Sequence, residues 1–138
     1  MSDFPLKIMT PDGVRFDGKA QMVVVRTVTG DTAVMADHID YVALLGMGKA
    51  VVYVDGQKET AACIGGMIHV ENGAVTLLPI TFEWAQDIDM QRAIDSKKRA
   101  ERILQDKTSG VTDLLLAQAR LKRALVRYGV AINRKKHS

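Results

Sequence analysis

The sequence predicts an α+β chain: an N-terminal antiparallel β-sandwich, a flattened barrel in outline, followed by a C-terminal α-helical hairpin. Three observations predict it. Apolar residues alternate or form short β-branched runs up to Trp84, and recur at three- and four-residue steps after it. Two dipeptides that favour tight hairpins, Asp55-Gly56 and Asn72-Gly73, separate such runs in the first part. Charge also changes sign at this point. Residues 1–84 carry six Lys or Arg against ten Asp or Glu, a balance of −4, while residues 85–138 carry thirteen against six, a balance of +7, within a net charge of +3. The chain therefore divides into a sandwich domain, 1–84, and a hairpin domain, 85–138.

In the first part Leu6, Ile8 and Thr10 alternate before Pro11-Asp12-Gly13 turns the chain. Val14 and Phe16 lead to a second turn at Asp17-Gly18, and residues 20–27 read as one longer strand. Gly30-Asp31 turns again before a strand over 32–35. Strands over 49–54 and 57–64 flank Asp55-Gly56, and strands over 67–70 and 74–78 flank Asn72-Gly73. Both residues of such a two-residue turn need positive φ. Gly65-Gly66 interrupts a strand pattern, which predicts a bulge or a close backbone approach. Short, regularly spaced strands of this kind build a sandwich.

In the second part Asp87 or Asp89 can cap a helix over 90–106, which Thr108-Ser109-Gly110 breaks. Thr112 or Ser109 can cap a second helix ending near Gly129. Its stripe is Leu114, Ala117, Leu121, Leu125 and Tyr128. The first helix offers Ala93, Ala100 and Leu104 with Ile103 beside it, so small residues are expected to face large ones across a short loop. A hairpin this poor in large apolar side chains buries little by itself. It must lean on the sandwich, a partner or a ligand, and it reads as a switch.

Composition narrows the function classes. A chain of 138 residues, 47% apolar and 25% charged, is ordinary globular material, and no apolar run approaches the roughly 18–20 residues of a membrane helix. The opening Met-Ser-Asp-Phe-Pro lacks the basic start and apolar stretch of a signal peptide. A lone cysteine, Cys63, has no internal disulfide partner. Together these predict a soluble chain in a reducing, cytoplasmic compartment.

For chemistry, the best constellation in the first part is Asp37-His38-Ile39-Asp40, a histidine between carboxylates that could act as a general base or hold a metal. An ordinary loop histidine is the simpler reading, Cys63 is most simply a small core residue, and neither a catalytic nor a metal site is expected. In the second part Arg92 and Arg99 lie seven apart, about 20° around a helix axis, and Arg123 and Arg127 lie four apart. Four converging guanidiniums would suit a triphosphate, since each offers a fork of donors. The same residues could simply solvate the outer faces, and a surface for RNA or an anionic membrane is a third reading. Against nucleic acid, the helical segment offers one aromatic residue, Tyr128, beyond Trp84, with acids interspersed. A small hydrolase using His38 with Asp37 or Asp40 ranks last.

The order of elements and several motifs resemble one family, the epsilon subunit of the rotary proton-translocating ATP synthase of bacteria, from about Leu6 to Val130. The matching segments are Leu6-x-Ile8-x-Thr10-Pro11 with Phe16-x-Gly18, and the loop histidine His38 followed by Leu45-Gly46 or Gly48. Others are Gly65-Gly66 with Val70, Ile88-Asp89-Met90-Gln91-Arg92-Ala93, Arg99-Ala100-Glu101 and Arg123-Ala124-x-x-Arg127-x-x-Val130. Both prolines of the family's Leu-Pro-x-His-x-Pro loop are replaced, by Ala36 and Asp40, which predicts a less rigid loop. Met67 stands where phenylalanine is usual, and Tyr128 where an aliphatic residue is.

The resemblance implies a non-catalytic central-stalk subunit, peripheral to the membrane on its cytoplasmic face, that helps couple proton flow to rotation and regulates ATP hydrolysis. It implies a sandwich that binds the gamma subunit and rests on the c-subunit ring. It implies a hairpin that folds back or extends along gamma, where Arg102, Arg120, Lys122 and Arg123 meet an acidic segment of a beta subunit. It further implies ATP as a regulatory ligand, no cofactor being required. The matching residues for ATP are Glu83, Ile88, Asp89, Arg92, Ala93, Arg99, Arg123 and Arg127, with Ile88 over the adenine face, Ala93 leaving room for the ring, the carboxylates positioning polar edges and the arginines facing phosphates.

Overall fold

A computed structural model describes the backbone of residues 2–137 and the side chains of residues 2–133. It contains two compact units, Met1–Trp84 and Ala85–Ser138.

The first unit is a sandwich of two five-stranded sheets, not a closed barrel. Its strands in chain order are β1 (Phe4–Thr10), β2 (Gly13–Ala20), β3 (Met22–Thr27), β4 (Gly30–Met35), β5 (Tyr41–Leu44), β6 (Met47–Val54), β7 (Gln57–Ile64), β8 (Met67–Glu71), β9 (Ala74–Leu78) and β10 (Thr81–Trp84). One sheet has the order β2-β1-β9-β8-β5 and the other β10-β7-β6-β3-β4. Neighbours are antiparallel except β1 and β9, which run parallel with Leu6 opposite Val75 and Ile8 opposite Leu77.

The period-two pattern of each strand decides which face is buried. Phe4, Leu6 and Ile8 of β1, Val23 and Val25 of β3, Ala50 and Val52 of β6, Ile68 and Val70 of β8, and Val75 and Leu77 of β9 all point into one core. Cys63 is part of it. Desolvation pushes its thiol from an ordinary 9.0 up to about 12, so the side chain is a neutral, inert core residue.

Both two-residue hairpin turns have the expected backbone, with φ of 51° and 78° at Asp55 and Gly56 and of 52° and 79° at Asn72 and Gly73. Gly65 and Gly66 also have positive φ, and at Gly66 a Cβ would stand 1.9 Å from the carbonyl oxygen of Leu78, a close approach between backbones.

Asp17-Gly18 is not a turn. It lies within β2, with Lys7 opposite Asp17 and Leu6 opposite Gly18. The expected 20–27 strand breaks at Gln21, where the chain passes from an edge of the first sheet into the second. Ladder pairing with β1 overrides the turn preference of the dipeptide. A β-bulge in the same pair is consistent with this, since Ile8 faces Phe16 but Met9 faces Val14, leaving Arg15 as the extra residue.

The second unit comprises a 3-10 turn (Ala85–Asp87), α1 (Met90–Gln105) and α2 (Val111–His137). Asp89 caps α1, its Oδ1 accepting the backbone N–H of Arg92 at 3.0 Å. Asp106 closes the other end, and its backbone N–H donates to the carbonyls of Arg102 and Ile103. Its Oδ1 also accepts both the hydroxyl (2.7 Å) and backbone N–H (2.9 Å) of Thr108, which together hold its carboxyl below the usual carboxylate range.

The second helix differs from expectation in three ways. Neither Ser109 nor Thr112 caps it; the Ser109 hydroxyl donates to the carbonyl of Ile103 instead, and the Leu114 N–H reaches Gly110 O. The helix continues past Gly129, which has open space around it and no positive φ to end the turn. Of the expected stripe Ala117 is buried and Leu114, Leu121 and Tyr128 are half-buried, but Leu125 is 45% exposed, and Ala124, Val130 and Ala131 are buried instead. With Ala93 and Ala100 of α1 also buried, both helices bury alanines at seven-residue spacing. A strict seven-residue repeat keeps one narrow seam buried, and Leu125, one position beyond Ala124, is rotated about 100° away from it. Alanine seams allow helix axes to approach to the lower end of the usual 8–10 Å.

Candidate functional site

Two surfaces carry exposed chemistry. The first belongs to the sheet β2-β1-β9-β8-β5. Its outer face holds Val42 (59% exposed) and Leu44 (63% exposed) on the edge strand β5. The ladder sets Leu44 opposite Met67 and Met67 opposite Leu78, an apolar row, while Val42 faces His69 and His69 faces Thr76. Val28 lies against the same end, its N–H donating to Leu44 O at 3.0 Å, and Ile80 (61% exposed) sits over Gly65. Exposed apolar side chains grouped on one face, bordered by a strand edge, are what a docking surface provides.

The loop entering β5 holds the His38 segment. Asp37 adopts φ 63°, His38 Nδ1 lies 2.7 Å from the carbonyl of Ile39, and the imidazole stacks edge-on against Tyr41 at 5.7 Å. Asp40 Oδ1 accepts the N–H of Asn72 at 2.9 Å, tying this loop to the β8–β9 turn. The loop thus has its own braces. The Asp40 carboxylate is engaged by backbone and the imidazole by a carbonyl and a ring, an arrangement of structural contacts. Among the described residues no three His, Cys, Asp or Glu side chains are grouped to hold a metal ion.

The second surface belongs to the helical unit. Arg92 and Arg99 are exposed on one side of α1, and Arg123 and Arg127 are half-buried on one side of α2. Arg102, Arg120 and Lys122 are exposed. Ile88 is buried and its N–H donates to Ala85 O, Asp89 is the α1 cap, and Ala93 is wholly buried in the alanine seam. Folding of the hairpin therefore already employs the non-arginine members of the Ile-Asp-x-x-Arg-Ala motif. Lys97 pairs with Glu101 at 3.9 Å one turn apart. Glu83 lies half-buried on β10, in the first unit.

Sequence reasoning missed three features, of which two carry no signal along the chain. The apolar row depends on which of two alternating faces points outward, which a four-residue strand does not declare. The Asp40–Asn72 bond spans 32 positions. The alanine seam was legible only as the seven-residue spacing of Ala117, Ala124 and Ala131.

Residues 3–85 match the family described as ATP synthase, Delta/Epsilon chain, beta-sandwich domain, and residues 86–131 match ATP synthase, Delta/Epsilon chain, long alpha-helix domain. The chain is 41% identical over 133 residues to an ATP synthase epsilon chain of Bacillus velezensis, covering 96% of this chain and 100% of the relative. It is 39% identical to that of Bacillus licheniformis, with 95% and 99% covered, and 37% identical to that of Ruminococcus albus, with 95% and 98% covered. The fold is similar to a chain of the Euglena gracilis mitochondrial ATP synthase OSCP/F1/c-ring structure, with a TM-score of 0.83 at 19% identity over 96% of this chain and 82% of that one.

Proposed function

The chain belongs to the ATP synthase delta/epsilon family and, like the epsilon chains it matches, is a non-catalytic subunit; from that premise we propose that it couples rotation in the central stalk to ATP synthesis and restrains ATP hydrolysis through its helical hairpin. The single observation that carries this reading is the division of labour between the units: an apolar outer face on the sandwich, and a basic hairpin whose seam is alanine.

On this reading Val42, Leu44 and Leu78 dock on the gamma subunit, and the sandwich rests on the c ring at the cytoplasmic face of the membrane. No described helix is long and apolar enough to cross a membrane, which agrees with peripheral attachment through the complex. The alanine seam buries little apolar area per residue, so the folded hairpin is held weakly and its population can be shifted by a ligand that binds one form better. ATP is the proposed ligand, engaged by Arg92, Arg99, Arg123 and Arg127, with Ile88, Asp89, Ala93 and Glu83 in the supporting roles the family resemblance gives them. Arg102, Arg120, Lys122 and Arg123 supply the positive charge that meets a beta subunit when the hairpin is extended.

Two experiments test the reading. In the first, Leu44→Asp with Val42→Asp is expected to abolish copurification with gamma while leaving the sandwich folded; retained binding places gamma elsewhere. In the second, calorimetric titration of ATP is expected to saturate, and Arg123→Ala or Arg127→Ala to weaken binding roughly tenfold or more. No heat with the wild-type chain would remove ATP from the regulation, leaving control to the partner subunits.

A further inference from the structure

The two sheets leave a strand edge each on one side of the sandwich, β2 in the first sheet and β10 in the second. Trp84, the last residue of β10, joins them. Its indole lies edge-on to Phe82 of its own strand at 4.9 Å and edge-on to Phe16 of β2 at 6.4 Å. Its Nε1–H donates to the carbonyl oxygen of Arg15 at 3.4 Å. Arg15 is the extra residue of the β2 bulge, and a bulge locally disrupts the ladder, leaving the extra residue unpaired with the neighbouring strand. The bulge thus re-aims a backbone group on one sheet edge, and the indole on the other edge uses it. Trp84 also ends the pairing of β10 with β7, opposite Ala61, and is the last residue of the first compact unit.

We infer that Trp84 is a clasp: it closes the corner between β2 and β10 and fixes the end of the sandwich, so that chain motion in this region starts at Ala85 and not within β10. The clasp rests on sandwich geometry alone and stands whether or not ATP binds. Among the described residues neither strand edge has a further strand beside it, so side-chain closure is what keeps β10, four residues long, from fraying. Two edge-to-face aromatic pairs and a long hydrogen bond supply it, with the rings contributing the larger share.

Amide hydrogen exchange on the full chain tests this. In the wild type, the amides of Phe82 and Trp84, which with that of Ile80 face β7, are expected to exchange slowly, and those of 86–88 faster. Trp84→Ala is expected to speed exchange at Phe82 and at 15–16 about tenfold or more, with β3, β6 and both helices unchanged. Trp84→Phe, which keeps a ring and removes the N–H, should fall between. Phe16→Leu supplies an independent route: it should speed the same amides and shift Trp84 emission to the red. Uniform acceleration across the whole sandwich, or none at 15–16 and Phe82 in any of the three variants, would overturn the clasp.

Discussion

Gly66 approaches β9 so closely that a Cβ on it would stand 1.9 Å from the carbonyl oxygen of Leu78 and 2.7 Å from Cα of Pro79. Both are backbone atoms, which cannot rotate away, and φ at Gly66 is 87°. Gly66→Ala is therefore expected to cost roughly 3 kcal/mol or more, since clash and backbone strain add. Gly73→Ala, at φ 79° with open space around it, should cost only about 1–2 kcal/mol. Urea unfolding of the two variants checks the difference, and equal losses would mean that the approach at Gly66 relaxes freely.

The Asp40–Asn72 bond braces the loop entering β5 against the β8–β9 turn. Asp40→Ala is expected to lose about 1 kcal/mol, and Asp40→Asn, which keeps an acceptor, less than about half of that. Exchange of the Asn72 amide reads the bond directly: it should accelerate in Asp40→Ala and stay slow in Asp40→Asn.

Cys63 contributes to the stability of the sandwich with a defined dependence on pH. The thiol titrates near 9.0 when unfolded and at about 12 when folded. The fold favours the neutral form, so this contribution is complete below pH 9 and is lost as pH rises from there toward 12. Between pH 8 and 10 the wild type should lose on the order of 1 kcal/mol that Cys63→Ala does not lose. Denaturant midpoints of the pair at both pH values check it, and parallel shifts would refute it.

Asp106 provides the opposite case at the α1–α2 turn. Its folded value is depressed, so its contribution is present above the ordinary 3.8 and disappears as pH falls through the lower folded value. An NMR titration of its carboxyl should show a midpoint below 3.8, moving upward in Thr108→Ala because the first cause of the shift, the Thr108 hydroxyl, is gone.

The alanine seam should reject bulk. Ala124→Leu is expected to destabilise the hairpin by about 1–3 kcal/mol through overpacking, whereas Leu125→Ala, on the outer surface, should change it by less than about 0.5 kcal/mol. Far-UV circular dichroism melts separate these; a large effect at Leu125 would mean that it packs inside.

Much of the architecture is legible from local signals. Asp55-Gly56 and Asn72-Gly73 read as hairpins because positive φ is a property of the dipeptides themselves, and Asp89 reads as a cap because an N-cap needs only its own side chain and the N–H groups just after it. Asp17-Gly18 misleads for the converse reason: its turn preference is weak beside seven residue pairs aligned between β1 and β2. β5 and β10, four residues each, hold too few alternations to declare a strand. At the candidate site the arginines are legible by type and spacing, while the apolar row of Leu44, Met67 and Leu78 is not, because three separate strands must be laid in register to make it.

By itself the sequence determined the change of periodicity and of charge at Trp84, the class of each half, the alternating core residues and the positive charge of the helical part, all of which follow from periodicity, propensity and composition along the chain. Tertiary structure alone decided the order of strands in each sheet, the parallel pairing of β1 with β9, the burial of alanines in place of Leu125, and the reach of Trp84 to Arg15 across 69 positions. These depend on which distant segments meet, and that choice is made by the whole core packing at once, not by any one segment's preference.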